Sequence, residues 1–122
     1  MVRAIRGATT ADRNEKELIL EATAEMLLHI ISENALNHDD IIDIIFTVTP
    51  DLNSVFPAVA ARRIGFTDVP LLDMAAPEID GALKMCIRAL VHINTDKDNK
   101  SLNHVYLRGA KVLRPDLLRK EK

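Results

Sequence analysis

The chain has 122 residues, which suits one domain and is too short for two independent hydrophobic cores. Hydrophobic residues make up 48% of it but aromatic residues only 3%, so the core must be aliphatic and platforms for stacking nucleic-acid bases are scarce. Sixteen basic and eighteen acidic residues give a net charge of -2, which excludes a global attraction to nucleic acid or to an acidic membrane surface. Any anion site must therefore be local.

The single cysteine, Cys86, cannot form an intramolecular disulfide, and no apolar leader segment follows Met1. We therefore expect a cytoplasmic protein that does not associate with a membrane. One domain is expected to extend over residues 1–115, and residues 116–122 are expected to form a flexible C-terminal tail.

The first elements of the chain are a strand and a long helix. Apolar residues predict a strand over residues 2–8, which ends at a polar cluster. Apolar residues then recur at helical spacing over about residues 15–33. Asn14 and Glu17 match a capping box at the start of this helix, and Asn34 is the expected left-handed cap at its end.

The remaining elements complete a mixed sheet. Residues 41–49 are β-branched and apolar, which predicts a central strand, and residues 55–64 predict a second helix. Residues 69–74 and 104–107 predict two further short strands. With the strand at residues 83–94 the fold class is α/β (α+β), a mixed β-sheet packed against two helices. The second sheet face would be uncovered, so we expect an oligomer.

The strand at residues 83–94 places an arginine in the middle of a segment built for burial. Every odd position from 83 to 93 is apolar, which indicates that one face of the strand lies in the core. Arg88 lies at the centre of the other face, between Cys86 and Leu90. A partly desolvated guanidinium needs an anion, either an acidic side chain of the protein or a bound ligand. The strand pattern alone favours the internal ion pair.

Arginines on strands are the best candidates for an anion site. Arg6, Arg88 and Arg114 lie in or at the ends of predicted strands with Tyr106, and guanidinium groups suit carboxylates or phosphates because they are planar and always charged. Cys86 has no histidine at a diagnostic spacing, so nucleophilic catalysis has little support. The four histidines form no close pair of metal ligands. The sequence therefore predicts no metal and no cofactor.

Several short motifs, in order over nearly the whole chain, resemble the monofunctional AroH-class chorismate mutases. They are IRGATT at 5–10, FTVTPDL at 46–52, FPA at 56–58, CIR at 86–88, NTD at 94–96, HVYL at 104–107 and LRPDL at 113–117. The resemblance implies a homotrimer with a pseudo-α/β-barrel core and active sites between subunits. It also implies one small-molecule substrate, chorismate, which is rearranged to prephenate on the route to phenylalanine and tyrosine.

The implied reaction is a unimolecular pericyclic shift that needs no nucleophile, metal or cofactor, because the protein only has to hold the reactive conformer and stabilise separating charge. By resemblance, Arg88 donates to the ether oxygen, while Arg6 and Tyr106 hold the substrate's carboxylate side chain. Glu78 would bind the ring hydroxyl and face the cationic ring. Further positions that match the family's cleft are Phe56, Ala58, Arg62, Leu71, Leu72, Asp73, Leu113 and, near the mouth, Arg114.

The chain departs from the family pattern at a few positions. An ungapped count back from Leu83 lands on Ala76, and Glu78 is selected only if two residues are inserted before it and two removed after it. Asp73 stands where family members often carry cysteine, and Val59 stands where some carry lysine. An extra carboxylate and a missing ammonium would both weaken binding of a dianion.

Two other functions stay open on the sequence. A Rid-type imine deaminase on a similar trimer would also use an arginine at a cleft between subunits to bind a carboxylate. A non-catalytic sensor of an anionic metabolite would use the same arginines for binding alone. The motifs around Arg6 and Tyr106 favour the chorismate mutase.

Overall fold

The computed structural model describes residues 1–113 and arranges them as one sheet with two helices. The strands are β1 (Val2–Thr10), β2 (Ile41–Val48), β3 (Leu71–Ala75), β4 (Cys86–Asn94) and β5 (Val105–Tyr106), and the helices are α1 (Lys16–Glu33) and α2 (Ala58–Arg63). This confirms the predicted fold class. The predicted tail at 116–122 lies outside the described residues, and so does Arg114, which was predicted to lie near the mouth of the cleft.

The five strands run in the order β3-β2-β4-β1-β5, so β4 lies at the centre. It is antiparallel to β1 and β2, whereas β3 is parallel to β2 and β5 is parallel to β1. One face of the sheet packs on α1, and this core is aliphatic, as the composition predicted. Within residues 1–113, no helix is both long enough and apolar enough to cross a membrane.

The other face of the sheet is largely open, as the sequence predicted. Leu72 and Met74 on β3 are 54% and 49% exposed, and Arg88 on β4 is also exposed. Among the described residues this face is covered at its β5 end, where Tyr106 packs with Ala8 and with Ala110 of the 3₁₀ turn that follows β5. The open part is therefore an apolar surface that contains an arginine.

Helix α1 packs directly over Gly7 of β1. A Cβ atom at Gly7 would lie 2.7 Å from Cδ1 of Ile30 and 3.2 Å from Cγ of Met26. A side chain there would force the side chains of Ile30 and Met26 out of their packed positions. The glycine of the IRGATT motif is thus explained by close packing next to Arg6.

The predicted start of the arginine strand is wrong, because β4 begins at Cys86 and not at residue 83. Met85 has a φ of +55°, a left-handed conformation that a strand cannot contain. Its N–H donates to Oδ2 of Asp51 at 2.9 Å, and Leu83 packs beside Tyr106. Within β4 the predicted alternation is confirmed from Ile87 onward, since Ile87, Ala89, Val91 and Ile93 are buried and Arg88 is exposed; Cys86, at the start of the strand, is buried as well.

The predicted capping box of α1 is also wrong. The N-cap position is Glu15, and no side chain caps the helix there. The Oδ1 atom of Asn14 instead accepts hydrogen bonds from the backbone N–H groups of Asn53 and Ser54, at 3.0 and 3.2 Å. Asn14 therefore ties the loop after β1 to the loop after β2, a contact between distant segments that spacing cannot reveal.

The end of α1 differs from the prediction by one residue. Asn34 has a φ of -113°, and the left-handed residue is Ala35, with a φ of +50°. The backbone N–H of Leu36 donates to the carbonyl of Ile31 at 3.0 Å, as expected for a helix that ends in this way. Asn34 is buried, and its side chain serves a different contact, with Asn103.

Ala35→Gly is expected to stabilise the protein by about 1 kcal/mol, because it removes a Cβ atom from a left-handed position that favours glycine. Urea denaturation of the variant and the parent chain measures this. The matched control is Ala24→Gly within α1, which should lower the stability by about 1 kcal/mol because glycine is a poor helix former. A loss of stability in both variants would contradict the role of Ala35.

Candidate active site

The strand register places two arginines on the open face of the sheet. Arg88 of β4 lies opposite Ala8 of β1, and Ala8 lies opposite Tyr106 of β5. In the next row, Arg6 of β1 lies opposite Leu90 of β4. Directly paired residues point to the same side of a sheet. Arg6, Arg88 and Tyr106 therefore share one face, in neighbouring rows.

These side chains line one groove with a volume of about 440 Å³, a size that suits a small molecule. Four residues predicted for the site meet there, namely Arg6, Arg88, Tyr106 and Leu113. Ile45 and Thr47 of β2 also line the groove and were not predicted. The pairing of β2 with β4 brings them to the groove, and the sequence does not reveal this pairing.

Among the described residues, the arginines of the groove have no acidic partner, in contrast to Arg13, Arg63 and Arg108. Within residues 1–113, neither Arg6 nor Arg88 forms an ion pair with a carboxylate. By contrast, the guanidinium groups of Arg13, Arg63 and Arg108 lie 3.1 to 3.2 Å from glutamate oxygens. The internal ion pair that the strand pattern favoured for Arg88 is thus not formed by the described residues. The groove is thus a positive site that residues 1–113 do not neutralise.

Two hydrogen bonds hold the start of β4 and so help to aim Arg88. The N–H of Cys86 donates to Oγ1 of Thr49 at 2.9 Å, and the N–H of Met85 donates to the carboxylate of Asp51. Both acceptors belong to the FTVTPDL motif. The motif therefore has a structural role, since it fixes the point at which the arginine strand enters the sheet.

Cys86 lies on the same face as Arg88 but is only 1% exposed. Burial raises the pKa of the Cys86 thiol, and the nearby Arg88 offsets this only in part. The thiol therefore stays protonated at neutral pH, and a protonated thiol is a poor nucleophile. Cys86 is therefore a packing residue.

A second group of predicted site residues lies around β3 and α2, away from the groove. Phe56, which is 68% exposed, and Asp73 line a separate cavity of about 520 Å³. Oδ1 of Asp73 accepts a hydrogen bond from the N–H of Ala58 at 3.0 Å, and Arg62 on the exposed side of α2 lies close enough to act on that carboxyl. Asp73 thus holds the start of α2.

The other predicted residues are more dispersed. Leu71 packs against the core, whereas Leu72 points to the open face of the sheet. Glu78 is exposed in the loop between β3 and β4, where it lines a third cavity of about 340 Å³ with Asp51 and Lys84. In this single chain Glu78 does not line the groove of Arg88, so its role stays a prediction.

Comparisons with known proteins decide the family. Residues 2–117 match the family model of chorismate mutase type I. The chain belongs to this family. It is 43% identical over 118 residues to chorismate mutase AroH of Bacillus subtilis (strain 168), which covers 96% of this chain and 93% of that protein. It is 47% identical over 118 residues to chorismate mutase AroH of Thermus thermophilus, which covers 96% and 97% of the two proteins.

A solved structure agrees with these relatives. The fold is similar to that of a chorismate mutase from Clostridium thermocellum, with a TM-score of 0.89 and 50% identity over 90% of this chain and 98% of that one. The predicted family and the predicted enzyme class, an isomerase, are confirmed. These matches favour the chorismate mutase over a Rid-type imine deaminase.

Asp73→Asn is expected to raise the melting temperature at pH 7 but not at low pH. Burial raises the pKa of the Asp73 carboxyl above its ordinary value, although the Ala58 N–H and Arg62 lower it. The folded state therefore favours the protonated carboxyl. The stabilisation that this protonated group gives the fold is lost as the pH rises through the raised pKa. Asparagine keeps the acceptor for Ala58 and never ionises.

Thermal unfolding of the Asp73→Asn variant and the parent between about pH 3 and pH 7 measures this, since aspartate carboxyls titrate in that range. The difference in melting temperature should grow with pH. Asp73→Ala, which also removes the acceptor, should be less stable than Asp73→Asn at every pH. A difference between Asp73→Asn and the parent that does not change with pH would rule out this account.

Proposed function

We propose that this chain rearranges chorismate to prephenate, in the synthesis of phenylalanine and tyrosine, at the groove lined by Arg6, Arg88 and Tyr106. The observation that carries the proposal is the pair of guanidinium groups on one open sheet face, with no carboxylate partner within residues 1–113. Chorismate is a dianion, so it supplies the negative charge that this groove lacks.

The roles follow from how charge moves in the reaction. The ether C–O bond breaks while a C–C bond forms, and negative charge develops on the ether oxygen. Arg88 donates to that oxygen, while Arg6 and Tyr106 hold the carboxylate side chain in the reactive conformation. Because the donors are held by the sheet before substrate arrives, little reorganisation is needed in the transition state.

The remaining residues complete the enclosure of the substrate. We assign Glu78 to the ring hydroxyl and the cationic ring, and Leu113 to the apolar wall of the groove. We assign the opposite wall to the cavity of Phe56 and Asp73 with the neighbouring Ala58, Arg62, Leu71 and Leu72. Arg114, which is outside the described residues, is assigned to the mouth.

The active enzyme is a homotrimer in this proposal. The two groups of site residues lie in separate cavities of one chain, so one copy presents an incomplete site. The open sheet face carries exposed apolar side chains, including Leu72 and Met74, which association with another copy would bury. In the proposed trimer, the Phe56 cavity of one copy lies beside the Arg88 groove of the next. We also propose a single domain over residues 1–115 and a cytoplasmic location.

Arg88→Ala is expected to lower kcat for chorismate by about 100-fold or more, the usual cost of losing one preorganised donor to a developing oxyanion. Arg88→Lys should also lose most activity, because an ammonium lacks the planar fork of the guanidinium. The assay follows consumption of chorismate and formation of prephenate.

The matched control is Arg13→Ala, an exposed arginine that pairs with Glu15 outside the groove, and it should keep full activity. Turnover near the parent's rate in Arg88→Ala would refute the role of Arg88. Imine hydrolysis by a parent chain that does not consume chorismate would favour the deaminase. Saturable chorismate binding in calorimetry without product would favour the sensor.

Leu72→Glu is expected to dissociate the trimer, because it places a charge in the apolar surface that association buries. Sedimentation equilibrium should give three times the mass of the chain for the parent and a lower mass for the variant. Leu28→Glu is the matched control, since Leu28 on α1 is 52% exposed and Leu72 is 54% exposed. A parent chain that sediments as a monomer would contradict the proposed assembly.

A further inference from the structure

Strand β5 is too short to provide hydrogen-bond partners for all the backbone groups at the edge of β1 that borders the groove. It contains only Val105 and Tyr106, which pair with Gly7 and Ala8. The next main-chain donor of β1 is the N–H of Arg6, and its partner is a side chain. It donates to Nδ1 of His104 at 2.9 Å. A histidine ring thus continues the strand pairing at the residue that carries a groove guanidinium.

We propose that His104 is a positioning residue of this site, which holds the main chain of Arg6 and so fixes where its guanidinium lies. The inference rests on the proposed function, because it assigns Arg6 to the substrate's carboxylate. His104 can accept the N–H of Arg6 only if its Nδ1 carries no proton. The imidazole is therefore neutral, with the proton on Nε2.

The end of α1 holds the backbone next to His104. Nδ2 of Asn34 donates to the carbonyl of Asn103 at 2.9 Å, and Oδ1 of Asn34 accepts the N–H of Asn103 at 2.8 Å. The side chain of Asn103 also donates to the carbonyl of Glu33 at 2.8 Å. Because Asn34 is buried and makes both bonds, it works like a strand partner for Asn103. His104 is therefore presented to β1 from a rigid support.

The Nδ1 atom of His104 contacts the main chain, whereas the contacts of His29, His38 and His92 are with side chains. A ring nitrogen of His29, His38 and His92 lies 2.6 to 2.9 Å from an acidic side chain, in each case a pair of side chains. The Nδ1 atom of His104 faces a main-chain donor of the active-site strand. A main-chain N–H donor at Nδ1 requires that this nitrogen carry no proton.

His104→Leu is expected to raise KM for chorismate about ten-fold with a smaller fall in kcat, because a displaced strand misplaces Arg6, which binds substrate but does not touch the breaking bond. His104→Asn should stay within about two-fold of the parent, since its Oδ1 lies at the same point of the side chain as Nδ1 and accepts the same N–H. The control is His29→Leu on the exposed side of α1, which should change neither constant.

Equal losses in His104→Leu and His104→Asn, or an unchanged KM in His104→Leu, would overturn the inference. A purely structural role would lower the melting temperature of both variants without the rescue by asparagine. The rescue therefore separates positioning from folding.

A second measurement on the parent chain does not depend on turnover. At neutral pH, ¹⁵N spectra should show His104 as the neutral ring protonated at Nε2, and hydrogen exchange should show a protected amide at Arg6. A proton on Nδ1 or an unprotected Arg6 amide refutes the inference even if chorismate is converted. A chain with both signatures that does not convert chorismate refutes the proposed function and leaves the hydrogen bond established.

Discussion

The antiparallel pairing of β1 with β4 is the interaction on which both the fold and the site depend. Its nine residue pairs run without a break from Val2 and Asn94 to Thr10 and Cys86. Because side chains alternate along a strand, a slip of one residue would turn one arginine strand over and bury its guanidinium in the core. The apolar face that packs on α1 prevents this slip. Burial of the core therefore also decides that Arg6 and Arg88 share the open face.

The open face combines two features that rarely coexist on a free surface. It exposes apolar side chains, which favour association, and it exposes two guanidinium groups, which repel each other and need solvent or an anion. Internal carboxylates would stabilise the arginines but would also compete with an anionic substrate. The proposed trimer would satisfy both features, because a cleft between copies would exclude water from a site whose charge the substrate balances.

Much of the fold could be predicted because it depends on local periodicity. The alternation around Arg88 and the helical repeat of α1 each report a buried face, and both were confirmed. The failures have tertiary causes. The strand begins only after Met85, whose N–H donates to Asp51. The left-handed residue at the end of α1 is Ala35 and not Asn34, whose side chain is bonded to Asn103. Ile45 and Thr47 reach the groove only through pairing between distant strands, which no spacing in the chain records.

The proposed reaction is one in which no side chain exchanges a proton or forms a bond. Such catalysis depends on the placement of donors, and a shift of about 1 Å can cost up to 100-fold in rate. Strand ladders place residues accurately in their interior and poorly at their ends. Beside this groove, side chains accept backbone hydrogen bonds at two places where the strand pairing stops. Thr49 accepts the N–H at the start of β4, and His104 accepts an N–H at the edge of β1. The arginines are therefore held by the sheet where it is continuous and by polar side chains where it stops.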